Sequence, residues 1–180
     1  MGIKTWNLSL KYAKAFFNLY GSELTDADFW LIKKAIHFLV QNGPILNYFS
    51  LHQSPEQQAL TAIFLARLKL RASFGQLLWL LQKQKRIGLL PNVLKCVLYV
   101  FLHRRKKIYF KLHSYPALSP TQTEQVVKYL SQTTEMQILY ESYEDPNLIA
   151  GIKMQSEQFL YDDTLSGRLQ RIRRKLVRQN

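Results

Sequence analysis

Acidic side chains are missing from a long central part of this sequence. Its 180 residues include 25 lysines and arginines but only 12 aspartates and glutamates, a formal net charge of +13 at pH 7. No acidic residue lies between Glu56 and Glu124, while 12 lysines and arginines occur there. Such a surface favours an anionic partner, either nucleic acid, an anionic membrane or an acidic protein. The cations also fit the exposed faces and carboxyl ends of helices, where the helix dipole favours positive charge.

Cysteine and long apolar runs are equally scarce. The single cysteine, Cys96, excludes an internal disulfide, and its apolar helical surroundings predict an inert core thiol. The longest apolar run, Val93 to Leu102, is interrupted by Lys95 and is far shorter than the roughly 20 residues of a membrane span. Residues 1–6 lack the apolar core of a secretory leader and do not fit the myristoylation pattern. We therefore expect neither a leader, nor a lipid anchor, nor a transmembrane segment.

Catalytic and metal-binding patterns are also missing. None of the four histidines stands at a metal-ligand spacing such as His-x-x-x-His. The paired carboxylates Asp162 and Asp163 precede a predicted helix, and carboxylates at such a position more often cap the helix than bind a cation. Because there is no nucleophile–base pair and no phosphate-binding loop, the sequence predicts a non-enzymatic protein without cofactor or metal.

Nucleic-acid binding is the main alternative that the charge raises. Basic clusters at residues 83–86 and 103–107 would make reasonable phosphate contacts. No glycine-rich loop, aromatic RNP-type strand pair or zinc-finger spacing accompanies them. A basic helical RNA-associated binding protein therefore remains the alternative function, and an acidic protein partner is the favoured interpretation of the charge.

Helical periodicity dominates the first 105 residues and predicts a bundle of six helices. Thr25 with Asp28 forms a capping box, and a short helix is expected around residues 46–49. Ser73 with Gln76 is interpreted as a further cap, and Gly88 as the end of that helix. Residues predicted to face the core include Phe16, Phe29, Ile32, Leu39, Val40, Ile63, Phe64, Leu77, Leu80, Leu81, Leu94, Val97 and Phe101.

The period changes after residue 105. Ile108, Phe110 and Leu112 alternate with polar residues, which predicts a strand exposed on one side. Ser119-Pro120-Thr121-Gln122 is another capping box, and residues 136–140 alternate again. The fold is thus expected to be mostly α, with a helical bundle over residues 1–105 and a small α+β domain over residues 106–180.

The last quarter of the chain contains two short strands and a basic helix. A strand is predicted over residues 148–154, where Gly151 marks a bulge or the close approach of another backbone. A second strand through residues 159–161 is expected to end in a turn at Asp162–Thr164. The helix that follows has one apolar stripe, formed by Leu165, Leu169, Ile172 and Leu176.

These segments resemble the delta subunits of bacterial F-type ATP synthases, the family of the mitochondrial oligomycin-sensitivity-conferring protein. The similarity rests on residues 148–152 and 162–169, against a pattern of hydrophobic-Gly-Gly-hydrophobic and then Asp-Gly-Ser-hydrophobic-Arg-Gly-Arg-Leu. Ala150, Asp163 and Ser166 depart from that pattern. Residues 11–16 resemble the family's opening Tyr-Ala-x-Ala-hydrophobic helix, and residues 86–91 its Arg-hydrophobic-x-x-Leu-Pro segment.

The resemblance implies a non-catalytic stator subunit in the peripheral stalk, on the cytoplasmic face of a bacterial inner membrane. It implies that the amino-terminal bundle binds amino-terminal helices of the alpha subunits of the catalytic head. The binding channel would lie between the family's first and fifth helices, which correspond here to residues 12–20 and 76–85. The residues implied for this contact are Tyr12, Ala15, Trp30, Leu77, Trp79 and Leu81. It also implies that the carboxyl-terminal domain binds the b subunits of the stalk. The stalk-facing or family-motif residues are Gly151, Asp162, Gly167, Arg168 and Leu169.

Overall fold

The chain folds into two compact units, Met1–Phe101 and Leu102–Asn180, in a computed structural model. The structure describes residues 3–46 and 55–177. The first unit is helical, and the second combines helices with a four-stranded sheet. The mostly α fold class with a small carboxyl-terminal α+β domain is therefore confirmed.

Five long helices form the described part of the first unit. They are α1 (Ile3–Tyr20), α2 (Asp26–Gln41), α3 (Pro55–Leu68), α4 (Ser73–Lys83) and α5 (Leu90–Arg104), with a 3-10 turn at Ile87–Leu89. Residues 44–46 are also helical. Most of the short helix expected at residues 46–49 lies outside the described residues. The count of six helices thus stays a prediction.

The core of this unit comes from one apolar face of each helix. Its buried residues include Ala13, Phe16, Phe29, Ile32, Leu39, Phe64, Phe74, Leu77, Leu78, Leu81, Leu94, Val97 and Phe101. The predictions that Val40, Ile63 and Leu80 face the core are wrong, because these residues are 62%, 61% and 38% exposed. In α4, Leu78 is buried instead of Leu80. Cys96 is a free, buried thiol, and burial raises its pKa to about 11, which keeps it protonated and unreactive.

Two predicted boundaries of α4 are wrong. Ser73 is the first helical residue rather than the cap, and its buried hydroxyl has no hydrogen-bond partner. The helix ends at Lys83 rather than at Gly88. Lys85 adopts the left-handed conformation, with φ +53°, and the Arg86 amide donates to the Leu81 carbonyl at 2.8 Å. This is a Schellman-type ending in which lysine takes the place usual for glycine.

Several side-chain hydrogen bonds hold the start of α2. Thr25 and Asp28 form the predicted capping box, and the Asp28 carboxylate also accepts from Arg71 Nε at 2.9 Å. Burial alone would raise the pKa of Asp28, but the bonds from Arg71 and Thr25 outweigh it and hold that pKa below its usual range. The ionised carboxylate therefore ties α2 to the segment before α4.

We expect Asp28→Asn to lower the free energy of unfolding by about 1–2 kcal/mol at pH 7. Because the pKa of Asp28 is lowered in the folded state, the stabilisation is present above the unfolded pKa of about 4 and is lost as pH falls through the folded value. Denaturant titrations of both proteins at several pH values would test this. Asp26→Asn, at an exposed position on the same turn, is the control. A difference that persists unchanged at pH 2 would contradict the assignment.

One helical segment of the described chain, Ile87–Arg104, is long and apolar enough to cross a membrane by length and composition. Its apolar side is occupied within the bundle, since Val93, Leu94, Val97 and Phe101 are buried there. A core helix has the same composition. The segment is accordingly part of the bundle core.

The second unit is built on a sheet of strand order β2-β1-β3-β4. Its elements are β1 (Lys107–Tyr115), α6 (Pro120–Thr134), β2 (Gln137–Glu144), a 3-10 turn (Pro146–Leu148), β3 (Gly151–Gln155), β4 (Leu160–Thr164) and α7 (Leu165–Val177). β1 pairs in parallel with β2 across the α6 crossover and antiparallel with β3. The capping box at Ser119 and Gln122 begins α6 as predicted.

The core of the second unit lies on one face of this sheet. Ile108, Phe110 and Leu112 alternate into it as predicted, and they meet Leu130 and Met154. The prediction of a strand beginning at Leu148 is wrong, because the Asp145 carboxylate caps a 3-10 turn there and β3 begins at Gly151. The predicted turn at Asp162–Thr164 is also wrong. Those residues complete β4, and α7 follows without a loop.

Candidate functional site

An exposed apolar flank runs along α1 in the first unit. Tyr12, Ala15 and Leu19 are spaced three and four residues apart, so they share one side of the helix. Tyr12 is half-buried, Ala15 is exposed, and Leu19 is 71% exposed. The neighbouring side, with Ala13 and Phe16, is buried in the core. This flank is therefore the part of α1 that a partner can reach.

Helix α4 and the turn after it lie beside α1. The Phe16 and Phe74 ring centroids are 4.8 Å apart. The Tyr20 hydroxyl donates to Gln76 Oε1, and Arg86 Nη1 donates to the Tyr12 hydroxyl at 3.1 Å. We call five apolar residues of these two helices that solvent can reach the α1–α4 surface: the half-buried Tyr12 and the exposed Ala15, Leu19, Trp79 and Leu80.

Two of the leucines expected at this contact are core residues. Leu77 is 4% exposed and Leu81 is 0% exposed. Both point inward with Leu78, because positions 77, 78 and 81 fall within about 100° of one another around a helix. Side chains with so little accessible area offer almost no surface to a docked helix. Leu77 and Leu81 are therefore core residues and not part of the α1–α4 surface.

The two candidate tryptophans have different surroundings. Trp79 is 56% exposed, and the Lys83 ammonium lies 4.9 Å from its ring centroid. This cation–π contact holds the ring against the helix surface. Trp30 is half-buried on α2, edge-on to Phe29 and with Lys33 near its ring. Trp79 belongs to the α1–α4 surface, whereas Trp30 lies on α2 and its ring contacts Phe29 and Lys33 of that helix.

In the second unit, Gly151 allows β3 and β4 to approach closely. It has φ +103°, and a Cβ there would lie 2.9 Å from Thr164 Cα and in steric overlap with the Asp163 carbonyl oxygen. Only glycine tolerates both the dihedral angle and the contact. The expected close approach of another backbone is confirmed. Asp163 is in extended backbone, so its replacement of glycine causes no strain there.

A compact hydrogen-bonded cap joins β4 to α7. The Asp162 carboxylate accepts from the Thr164 amide at 3.1 Å and from the Thr164 hydroxyl at 2.7 Å, and the Thr164 oxygen accepts from the Gly167 amide at 3.0 Å. The Thr164 bonds lower the pKa of Asp162. A Cβ on Gly167 would lie 2.6 Å from Asp162 Oδ1. Gly167 thus leaves room for the carboxylate that orients the cap.

Two arginines of α7 reach back to β4. Arg168 Nη2 lies 2.6 Å from Asp163 Oδ1, and its Nε also donates to that oxygen. Arg171 Nη1 donates to the Asp162 carbonyl at 3.2 Å. Both contacts are exposed, so each contributes little to stability. Their geometric effect is to fix the first two turns of α7 against the edge strand.

The apolar stripe of α7 faces solvent. Leu165, Leu169 and Ile172 are 44%, 52% and 55% exposed. Phe159 and Leu160, just before α7 in sequence, are exposed as well. An apolar stripe at helical spacing usually packs on a core, so its exposure marks a contact site. We call Leu165, Leu169 and Ile172 the α7 stripe.

Several residues of these surfaces were not among the sequence candidates. Leu19 and Leu80 were missed, although Leu19 stands outside the core-facing set of α1 just as Trp79 stands outside that of α4. Arg86 was noted as part of a basic cluster and of a family-like segment, but not as a residue of this surface. Its bond to Tyr12 spans 74 positions and has no local signal. The exposure of Leu165 and Ile172 was also missed, because periodicity reveals a stripe but not what covers it.

The described residues contain no group of three or more histidine, cysteine, aspartate or glutamate side chains that could hold a metal. The Asp162–Asp163 pair is used in capping and in the ion pair with Arg168. On the face of the sheet that points away from the core, Tyr109 and Tyr143 both donate to the Glu141 carboxylate. Burial and that carboxylate raise the pKa of Tyr109, so its hydroxyl stays protonated. This cluster is a polar network within the sheet.

The chain consists of a helical bundle and a small α+β unit, and each of the two carries an exposed apolar surface. The family model of the ATP synthase delta (OSCP) subunit matches residues 8–176. The chain belongs to this family. It is therefore a structural subunit of the ATP synthase, a membrane-associated complex, and not a catalytic one.

Relatives and a solved structure agree with this assignment. The chain is 24% identical over 176 residues to an ATP synthase subunit delta of Anaeromyxobacter sp. (strain Fw109-5), covering 94% of this chain and 97% of the relative. It is 23% identical over 175 residues to that of Anaeromyxobacter dehalogenans (strain 2CP-C), with the same coverage. A chain in the cryo-EM structure of the Toxoplasma gondii mitochondrial ATP synthase hexamer matches at a TM-score of 0.64 and 16% identity, covering 94% of this chain and 97% of that chain, and so shares the fold.

Proposed function

We propose that the chain is a stator subunit that links the catalytic head of the ATP synthase to its peripheral stalk. The observation that supports this proposal is that each of the two units presents an exposed apolar surface of its own. In this proposal the α1–α4 surface binds an amino-terminal helix of an alpha subunit, and the α7 stripe binds the b subunits. Proton-driven rotation of the rotor then produces ATP instead of spinning the head.

The α1–α4 surface has the composition of a helix-binding site. It offers aliphatic and aromatic side chains in a row along α1 and an exposed tryptophan on α4, while Leu77 and Leu81 of α4 are buried in the core. Amphipathic helices dock through residues spaced three and four apart, the same spacing as Tyr12, Ala15 and Leu19. Tryptophan and tyrosine are the commonest anchors of such contacts.

A stator must stay attached while the rotor turns, so this contact needs a high affinity. A nanomolar dissociation constant corresponds to about −12 kcal/mol. Interfaces that strong usually bury about 1,600 Å² in total and contain well-packed anchors. Charge alone would not supply it, because exposed ion pairs are worth roughly 0–1 kcal/mol each. Apolar anchors such as Tyr12 and Trp79 should therefore carry most of the binding energy.

We expect Tyr12→Asp to weaken binding of an alpha-subunit amino-terminal helix at least about tenfold, since a buried anchor of this kind is worth 1.4 kcal/mol or more. The substitution removes a half-buried ring from α1 and leaves a carboxylate in its place. Isothermal titration with the synthetic helix measures the change. Far-UV circular dichroism establishes that the bundle is folded.

Asn7→Asp is the matched control, because it places the same charge change at an exposed position on the same helix, about 80° or more around the helix axis from Tyr12, Ala15 and Leu19. Its affinity should equal that of the unchanged chain. Equal affinity for Tyr12→Asp would remove the α1–α4 surface from the proposal and leave the b contact to be tested separately.

A further inference from the structure

The spacing of the apolar residues on α7 is that of a coiled-coil seam. Leu165, Leu169, Ile172 and Leu176 follow one another at intervals of four, three and four. That is the d-a-d-a pattern of a heptad repeat, over a helix of 13 residues. A seam of this kind is narrower than the apolar face of a helix that packs on a globular core. The described side chains of the seam are exposed, so no helix among residues 3–46 and 55–177 covers them.

The positions that flank this seam are basic. In the register set by Leu169 at a and Ile172 at d, the e and g positions are Ser166, Arg168, Arg173 and Lys175. Side chains at e and g face those of the partner helix and select it by charge. No acidic residue occurs from Leu165 to the last residue of the sequence. Two copies of α7 would therefore place like charges opposite one another, which disfavours a homotypic pair.

The cations at these positions are not equivalent. Arg168 is paired with Asp163, so part of its charge is already neutralised. Arg173 is exposed and stands one turn and more beyond that ion pair. The first turn of α7 is held by the Thr164 cap and the second by Arg171 on the Asp162 carbonyl. The seam is thus a preformed surface on a fixed helix, which lowers the entropy cost of docking.

We propose that the α7 stripe pairs with an acidic amphipathic helix, whose a and d positions are aliphatic and whose e and g positions carry glutamate or aspartate. This rests on the proposed function, because it names the chemistry of the stalk segment that would bind here. The seam is narrow and aliphatic, with no aromatic residue among its four members. Helices that lie in a membrane surface usually have a broader apolar face with tryptophan or phenylalanine. A protein helix is therefore the occupant that this surface fits.

Two synthetic peptides test the charge rule directly. Both contain about three heptads with leucine at a and d, and they differ only in carrying glutamate or lysine at e and g. We expect the acidic peptide to bind the full chain at least about tenfold more tightly than the basic one at low salt. The difference should shrink toward about 0.5 M salt, where charges are screened beyond a few ångströms. Fluorescence anisotropy of the labelled peptides measures both. Equal binding of the two peptides would overturn the proposal.

Point variants test the register. Arg173→Gln should weaken the acidic peptide about two- to fivefold, the range expected for one exposed ion pair. Gln170→Glu lowers the net charge by the same amount, but position b faces away from the seam, so it should change little. Leu169→Asp should abolish binding of both peptides, with circular dichroism establishing that the fold is kept. If Gln170→Glu weakened binding as much as Arg173→Gln, the seam register would be wrong.

Two further experiments distinguish the possible binding partners of the α7 stripe. Vesicles of phosphatidylglycerol that bound the chain through Leu169 and displaced the acidic peptide would identify a membrane surface and overturn the proposal. The purified b subunit distinguishes this inference from the proposed function. Binding of b that ignored both Leu169→Asp and Arg173→Gln would overturn the inference and leave the stator role intact. Binding of the acidic peptide without any binding of b would do the reverse.

Discussion

Gly151→Ala should destabilise the second unit by about 3 kcal/mol or more, since backbone strain costs 1–3 kcal/mol and a steric overlap adds to it. Gly151 combines φ +103° with close contact to the backbone of Asp163 and Thr164. A methyl group there has no flexible side chain to push aside. β3 and β4 would have to separate, and the Thr164 cap of α7 would move with them.

The tryptophans make this prediction easy to localise. Trp6, Trp30 and Trp79 all lie in the first unit. The tryptophan fluorescence transition in denaturant should therefore be nearly unchanged, while hydrogen exchange in residues 107–164 accelerates. Gly88→Ala is the control, because a Cβ at Gly88 meets nothing within 4 Å and its φ is not positive. If exchange in β3 and β4 were no faster in Gly151→Ala than in Gly88→Ala, the close approach would carry no energetic weight.

Ending the chain after Gly167 should abolish capture of the b subunits and leave binding to the alpha-subunit helix unchanged. The truncation removes Leu169 and Ile172 of the α7 stripe together with Arg168 and Arg171. It leaves all of the α1–α4 surface in place. Pulldown with purified b, beside titration with the alpha-subunit helix, measures the two contacts independently.

A point variant tests whether the truncated chain fails to bind b only because the end of the chain is missing. Leu169→Asp keeps the full length and the Thr164 cap, and it should reduce b binding by about tenfold or more. Gln170→Asp, one position along and outside the seam, should bind b normally. Capture of b by the truncated chain would show that the stalk contact lies elsewhere in the second unit.

Features set by neighbouring residues could be predicted from the sequence. The capping boxes at Thr25 and Ser119 were predicted correctly, because each needs only a hydroxyl and a side chain three residues later. The alternation of Ile108, Phe110 and Leu112 into the core was predicted correctly as well, since successive side chains of a strand point to opposite faces. The motif resemblance identified the family, which the comparisons confirmed.

The ends of helices and strands were less predictable than their types. Ser73 has the composition of a cap but is buried as the first residue of α4. Gly88 is a favourable helix terminator, yet α4 ends at Lys83, because the left-handed Lys85 lets the Arg86 amide reach the Leu81 carbonyl. Leu148 is apolar enough for a strand, but the Asp145 cap folds it into a turn. Burial decided the first boundary, and a competing local hydrogen bond decided each of the other two.

Sequence alone determined the class of this protein. Its helical and alternating periods, its lack of catalytic spacings and its terminal motifs are local properties that each stretch of chain carries by itself. The tertiary structure decided which apolar residues are accessible. Leu77, Trp79 and Leu169 each belong to an apolar pattern, but the first is buried and the other two face solvent. Accessibility depends on which other segments pack against a residue, and no single stretch of sequence contains that information.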